Sequence, residues 1–428
     1  MNCANTENWK YMKQLIKYSI ALLVCLPAGV AAQQAPVLSL DTILQRIDRN
    51  NILLQSYGLK AESYKYSADA STAWMAPMVG VGTFMTPYPG QMIMDPRDKG
   101  NIMLQIEQDI PNRAKLNARK RYIESQGNLE RATRDITLND FKAQAKRLYF
   151  NWLIALQRIN VLQENEKIMI TMKKIEEVRY PYNQSQLGSS FKAEARIEEN
   201  RNMVRMQEGT IGKARAWLNS LMNVQGNELF GIDTAHSPVF ARANNYDTAS
   251  LSLIRKDVLK MNENIGAMQL NIESMKMQKK PEFRIRFDQM FPLGSSMPNA
   301  YSIMGMISIP IVPWSSKMYK SEIKAMQFNI QGMEKEKAAM LQETQGMLYG
   351  MEYEIRTMQK RIQSMEEKIV PALQKTLDAN FISYQENKMQ LTQVIDAWEA
   401  LTMMQMDVLD EKLKLYEMIV DYEKQLYR

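Results

Sequence analysis

The chain has 428 residues, 24% of them charged, and a formal net charge of +7. Its basic and acidic side chains alternate rather than gather, so no patch suited to nucleic acid forms. One histidine and two cysteines leave no zinc motif, thiol pair or catalytic constellation, so no enzyme activity and no cofactor are expected.

Residues 1–32 read as a signal peptide. Lys10, Lys13 and Lys17 precede the apolar run Ile20 to Leu26, and Val30-Ala31-Ala32 offers a cleavage point. Met12 is an alternative start. Cys25 suggests a lipidated variant, although Val24 is bulky for that motif. Both cysteines, Cys3 and Cys25, leave with this segment. Lys10, Lys13, Lys17 and Glu7 go too, so the net charge falls to +5. Beyond it no apolar run reaches the roughly 18 residues of a membrane helix. Any contact with a bilayer must use strands.

Strand candidates come first, at about 77–110. Val79, Val81, Thr83 and Met85 alternate with Gly80, Gly82, Phe84 and Thr86, and Ile102, Leu104 and Ile106 alternate with Met103, Gln105 and Glu107. A period of two gives one oily and one wet face, and each run has the length of a tilted membrane strand. From Ala114 to Tyr180 only Gly127 interrupts a helical pattern. At 1.5 Å per residue that helix is about 100 Å long. Leu187-Gly188-Ser189 marks a break, and a returning helix runs from Phe191 to Met222. His236 follows in a turn-rich stretch and reads as a plain loop residue.

The order then repeats. Strands are expected at about 281–311, with Phe283, Ile285 and Phe287 against Arg284, Arg286 and Asp288, and Ile303, Ile307 and Ile309 against Ser302, Met304, Met306 and Ser308. A helix follows from Ser315 to Gln385, with a kink expected at Pro371. Met326, Met333, Met340 and Met347 are seven apart, as are Met351, Met358 and Met365, with Ile330, Ile355, Ile362 and Ile369 filling between, which suggests a coiled-coil seam. Glu334 with Lys337, and Glu366-Glu367 with Lys368, read as solvated helix-face pairs. Glu386-Asn387-Lys388 is the second break, and Met389 to Tyr427 the second returning helix. Pro77 and Pro281 are 204 residues apart, as are Tyr180 and Tyr384 and Leu187 and Leu391. A duplicated unit of this kind is architectural. It divides the mature chain at 33–242 and 243–428. A soluble sheet with one wet face would show the same alternation; a membrane sheet requires several copies to pool their strands, because four strands cannot close a barrel and lipid tolerates no open edge.

Long helical hairpins joined to short amphipathic strands, twice over, resemble the TolC-type outer-membrane efflux proteins from about Val37 to Arg428. The resemblance is carried by Gln108-Asp109-Ile110-Pro111, by Ile309-Pro310-Ile311-Val312-Pro313-Trp314 and by Val394-Ile395-Asp396-Ala397. Met297-Pro298-Asn299 through Ser315-Ser316-Lys317-Met318 is similar to the subgroup serving copper(I) and silver(I) efflux. The resemblance implies a mixed α/β membrane protein. Coiled-coil hairpins form a periplasmic α-barrel, and four strands per chain enter a trimeric transmembrane β-barrel. It also implies a passive exit duct in the outer membrane, served by a periplasmic adaptor and an inner-membrane pump. Alternatives are a duct for type I protein or peptide secretion, and a secreted coiled-coil scaffold.

Site expectations follow. The resemblance places a channel gate at Asp396, with Gln393 where relatives carry a second acid. Adaptor docking is expected at the hairpin tips, at Tyr180, Leu187 and Gly188 and at Tyr384, Asn387 and Leu391. Met304 and Met306 lie on the wet face of a strand, where thioethers suit soft cations in transit.

Overall fold

The computed structural model describes residues 36–182, 187–243, 246–294 and 297–427. The signal-peptide reading of 1–32 lies outside them. A two-residue strand, β1 (Val37–Leu38), leads into α1 (Leu40–Asn50) and α2 (Ile52–Ala70). Asn51 makes the joint: its side chain accepts from Leu53 and Leu54 N–H, capping α2, and its amide donates to the Leu221 carbonyl.

The strands β2 (Met78–Phe84) and β3 (Asn101–Ile110) form the first hairpin. Gly100 precedes β3 with φ +84°, and a Cβ there would meet Thr86 at 2.7 Å, so only glycine fits. Pro111 ends the strand, and the Asn112 side chain accepts from Ala114 N–H to start α3 (Arg113–Arg179). This one unbroken helix has 67 residues. It returns through α4 (Leu187–Leu221) to β4 (Gly231–Ile232), which pairs in parallel with β1.

The second half holds α5 (Thr248–Ile254), α6 (Lys256–Met277), β5 (Phe283–Pro292) and β6 (Ala300–Ile307). Pro313 then opens α7 (Pro313–Ser364), where its fixed φ suits the first turn. A π-helical segment, Met365–Ile369, interrupts the run before α8 (Val370–Gln385). The expected kink at Pro371 has its cause here. Proline lacks the N–H and its ring crowds the carbonyl four residues back, at Glu367, so the hydrogen-bond ladder widens over that turn. Val370 N–H accordingly donates to the Met365 carbonyl. The chain ends with α9 (Leu391–Gln425).

Three apolar cores string along the long helices. The largest gathers Ile43, Ile47 and Leu54 of α1 and α2 with Tyr149, Phe150, Trp152 and Leu153 of α3 and Leu218 of α4. A second joins Tyr246 and Leu251 to Leu341, Leu348, Ile355 and Ile362 of α7 and to Ile419 and Tyr422 of α9. The third lies toward the tips and interlocks the two hairpins: Met169 and Met172 of α3 meet Leu377 and Tyr384 of α8 and Leu391, Val394, Ile395 and Trp398 of α9.

Two expectations are corrected. The expected seam is only partly methionine: Met326, Ile355, Ile362 and Met365 are buried as expected, but Leu341 and Leu348 complete it, while Met347 and Ile369 are exposed. Met333, Met340, Met351 and Met358 are half-buried beside it, where the flexible thioether fills irregular margins. The charge pairing also differs. Lys337 donates to Asn262, and Glu366 pairs with Lys412 across the hairpin.

Candidate channel wall and tunnel tip

The four strands form one antiparallel sheet in the order β2-β3-β5-β6, so β2 and β6 are its free edges. The register sorts side chains into two faces. One carries rows such as Val79, Ile106, Phe287 and Ile303, then Val81, Leu104, Gln289 and Tyr301. The other carries Met78, Glu107, Arg286 and Met304, then Gly80, Gln105, Asp288 and Ser302. The alternation read from the sequence is therefore a true division of faces.

The burial of those faces is inverted. Glu107 and Asp288 are only 7% and 4% exposed, while Tyr301 and Ile303 are 70% and 67% exposed. Phe283, Ile285, Phe291 and Ile307 also lie open on the apolar face. The buried acids are tolerated because they are paired. Arg284 meets Glu107 at 2.7 Å and Asp109 at 2.6 Å, and Arg286 meets Asp288 at 2.8 Å. The acids of the polar face are thus covered by their arginine partners, while the oily face lies open. In water such a surface is unfavourable, at about 25 cal/mol per Å² of apolar area left exposed. No helix among the described residues is long and apolar enough to cross a membrane.

Met304 and Met306 both lie on the charged face, as expected from the alternation. Their cross-strand partners are Arg286 and Arg284. The sequence reading did not see those guanidiniums beside the pair.

At the far end, α8 closes in a Schellman arrangement. Asn387 takes φ 64°, its N–H donates to the Tyr384 carbonyl, and Lys388 N–H donates to the Ser383 carbonyl. Asparagine tolerates this left-handed position, which is why the break falls at Glu386-Asn387-Lys388. The first tip is built differently. Tyr180–Tyr182 makes a short 3-10 turn, and α4 already begins at Leu187. Leu187 to Ser189 therefore open the returning helix instead of forming the turn. Gly188 is exposed, with open space where a Cβ would stand.

Tyr180 and Asn387 are exposed, but Tyr384 and Leu391 are buried, which corrects their placement as exposed docking residues. The Tyr384 hydroxyl donates to Glu176 Oε1 at 3.0 Å. Arg179 donates to the carbonyls of Tyr384 and Gln385 and lies 4.7 Å from the Tyr384 ring centroid. Burial, reinforced by the Glu176 carboxylate, raises the Tyr384 phenol above its ordinary pKa. Glu176 and Arg179 escaped the sequence reading because they look like any other charged residues on a long helix. Their one signal is position: they sit three residues apart in the last turn of α3, opposite a tip tyrosine.

Asp396 lies on α9 and pairs with Lys192 of α4 at 3.1 Å. Gln393 is exposed one turn earlier, and the two share an outward stripe with Ala400 and Met403. The opposite stripe, Leu391, Val394, Ile395 and Trp398, is core. His236 is an exposed loop residue stacked near Phe150, at 6.4 Å between ring centroids.

No family model and no curated protein matches the chain. Solved structures do. The channel protein CusC is 14% identical with a TM-score of 0.72, over 90% of this chain and 91% of that one. The outer-membrane protein VceC from Vibrio cholerae is 14% identical with a TM-score of 0.68, over 90% and 95%. The open outer-membrane channel MtrE of Neisseria gonorrhoeae is 15% identical with a TM-score of 0.69, over 91% and 88%. The chain thus shares the fold of these channel proteins, long helical hairpins bearing a strand sheet. That fold is the TolC-type fold.

Proposed function

We propose that the chain is the outer-membrane exit duct of a tripartite efflux system, working as a homotrimer. Three protomers pool their strands into a barrel whose apolar faces meet lipid, and their hairpins continue it as a periplasmic tunnel. The observation that carries this reading is the inverted sheet. Paired carboxylates face inward and Ile303, Tyr301 and Phe283 face outward, which is stable only where the outside is hydrocarbon and the inside is wet. A secreted scaffold would favour the opposite arrangement.

A second surface supports oligomerisation. Trp314, Met318, Phe328 and Tyr353 stand exposed along α7, and Leu59 and Tyr66 along α2. Apolar side chains spaced over such a length want a neighbouring copy. The duct itself is passive. A pump in the inner membrane supplies the energy, and a periplasmic adaptor meets the exposed tip residues Tyr180, Gly188 and Asn387. Leu187 stands in the same tip. Asp396 and Gln393, exposed on one stripe of α9, edge the tunnel mouth as a gate in this reading. Soft cations such as copper(I) and silver(I) are the proposed cargo, on the resemblance to the metal-efflux subgroup and on the thioethers of the inward face.

Purified protein should run as a heat-resistant trimer from outer-membrane fractions and conduct ions in planar lipid. A stable monomer without detergent, and without conductance, overturns the reading. A susceptibility profile of a deletion strain carrying this chain then separates metals from drugs.

A further inference from the structure

The geometry points to a binding subsite for a soft monovalent cation, copper(I) or silver(I), formed by Met103 and Met290 on the inner wall toward the outer end of the sheet. The inference rests on the exit-duct reading and adds a site to it. Met103 on β3 and Met290 on β5 are direct register partners. Directly opposed residues hold their Cβ atoms about 4.5–5.5 Å apart. Each thioether swings on a flexible, unbranched stem, so both sulfurs reach one ion without moving the backbone.

Both side chains project from the inward face, since their row lies two residues from those of Gln105 and Asp288 and of Asn101 and Pro292 and so shares their face. The same row continues to Gly82 on β2 and Ala300 on β6, whose small side chains leave the sulfurs open to the lumen. Core filling explains methionine along the helical seams. It does not explain two half-buried thioethers facing each other across neighbouring strands, on a face that also carries Gln105, Glu107, Arg286, Asp288 and Ser302. Thioether sulfur selects copper(I) and silver(I) over the hard cations that prefer oxygen. The carboxylate of the adjoining row on the same face, Asp288, is held by Arg286. Two neutral ligands therefore hold the ion weakly enough to release it, as conduction requires.

Met304 and Met306 are a poorer pair. They lie two residues apart along one strand, about 6.6 Å, and each faces a guanidinium across the sheet. A cation beside them meets Arg286 or Arg284. Along the wall the order from the helices outward is Met306, Met304, then the Met103–Met290 pair, so the proposed subsite is the last before the external loops.

The test uses the full trimer in planar bilayers with potassium nitrate as electrolyte and silver nitrate as the probe. Silver added to the wild-type channel should produce brief interruptions of the potassium current, their frequency rising with silver concentration. In M103L/M290L these should become at least ~10-fold rarer at equal silver, the scale expected when a metal site is disturbed. In M304L/M306L they should persist. Leucine is close to methionine in volume and such swaps are well tolerated. M290Q provides a second sulfur-free variant suited to a wet wall. A wild-type trimer that never conducts defeats the duct reading itself. A conducting channel that silver does not interrupt, or interruptions that survive in both M103L/M290L and M290Q, defeats the subsite and leaves the duct standing.

Discussion

The strand sheet and the core around Trp152 obey opposite rules within one chain. Around Trp152 the apolar side chains are hidden and the polar ones are wet. In the sheet the acids are hidden and the isoleucines are bare. Composition does not separate the two regions, since both mix aliphatic, aromatic and charged residues. The surrounding medium does. A fold carries a record of its solvent in which side chains it turns outward, and here that record changes along the length of the molecule.

The sharpest way to break this comparison is to put charge on the bare face. Ile303→Lys should abolish insertion of the trimer, because a lysine at mid-bilayer costs about 2–4 kcal/mol in each copy. Ser302→Lys, one residue away on the inward face, should insert normally and change only the conductance. Trimer yield in membrane fractions reads both. Equal insertion of the two variants would show that the faces do not differ in medium. On the other side of the comparison, Trp152→Ala should cost about 3–5 kcal/mol. The loss removes a buried ring that packs on Phe230 and lies 4.9 Å from the Arg215 guanidinium. It should appear as a lowered denaturation midpoint with insertion topology intact.

The tip sharpens the contrast, because there a charged group is buried inside an ordinary core. Tyr384→Phe should cost about 1–3 kcal/mol, since Glu176 stays buried after losing its donor. The sign of the pH dependence follows from the raised phenol pKa. The folded state keeps a proton that the unfolded chain begins to lose near pH 10, so the contribution of Tyr384 is complete below that pH. It fades as pH rises through 10 toward the folded value. Alkaline unfolding should therefore be less steep in Tyr384→Phe. A smaller effect is expected at Asp396, whose exposed pair with Lys192 is worth about 0–1 kcal/mol. Asp396→Ala should leave stability almost untouched and, if the residue edges a gate, raise the resting conductance. Unchanged conductance would reduce it to a solvated carboxylate.

Much of the fold was legible because its signals are local. The strand alternation at Phe283 to Asp288 and the break at Glu386-Asn387-Lys388 each depend on a few neighbouring residues. The seam of α7 was read only in part: Met326, Ile355, Ile362 and Met365 are buried, but Met340 and Leu341 both recur every seven residues and only packing decides which one turns inward. The tip was half legible: Asn387 announces a turn, but nothing local says that Tyr384 folds beneath it to meet Glu176. The two repeats also drift. Their long helices start at Arg113 and Pro313, 200 residues apart, while the tip tyrosines Tyr180 and Tyr384 are 204 apart. A constant offset hid this, and the second repeat accommodates its extra length in a run that includes the π-helical turn before Pro371.

The two free edges of the sheet carry a kinetic consequence. A solitary protomer displays unpaired amides and carbonyls along β2 and β6, ready to zip onto any extended peptide. Completing a ring needs encounters between copies, so it slows steeply when the chain is scarce, whereas capture by a foreign strand needs only one copy. Low expression should thus lower the assembled fraction as well as the total, and an escort that masks those borders during transit would matter most when supply is short.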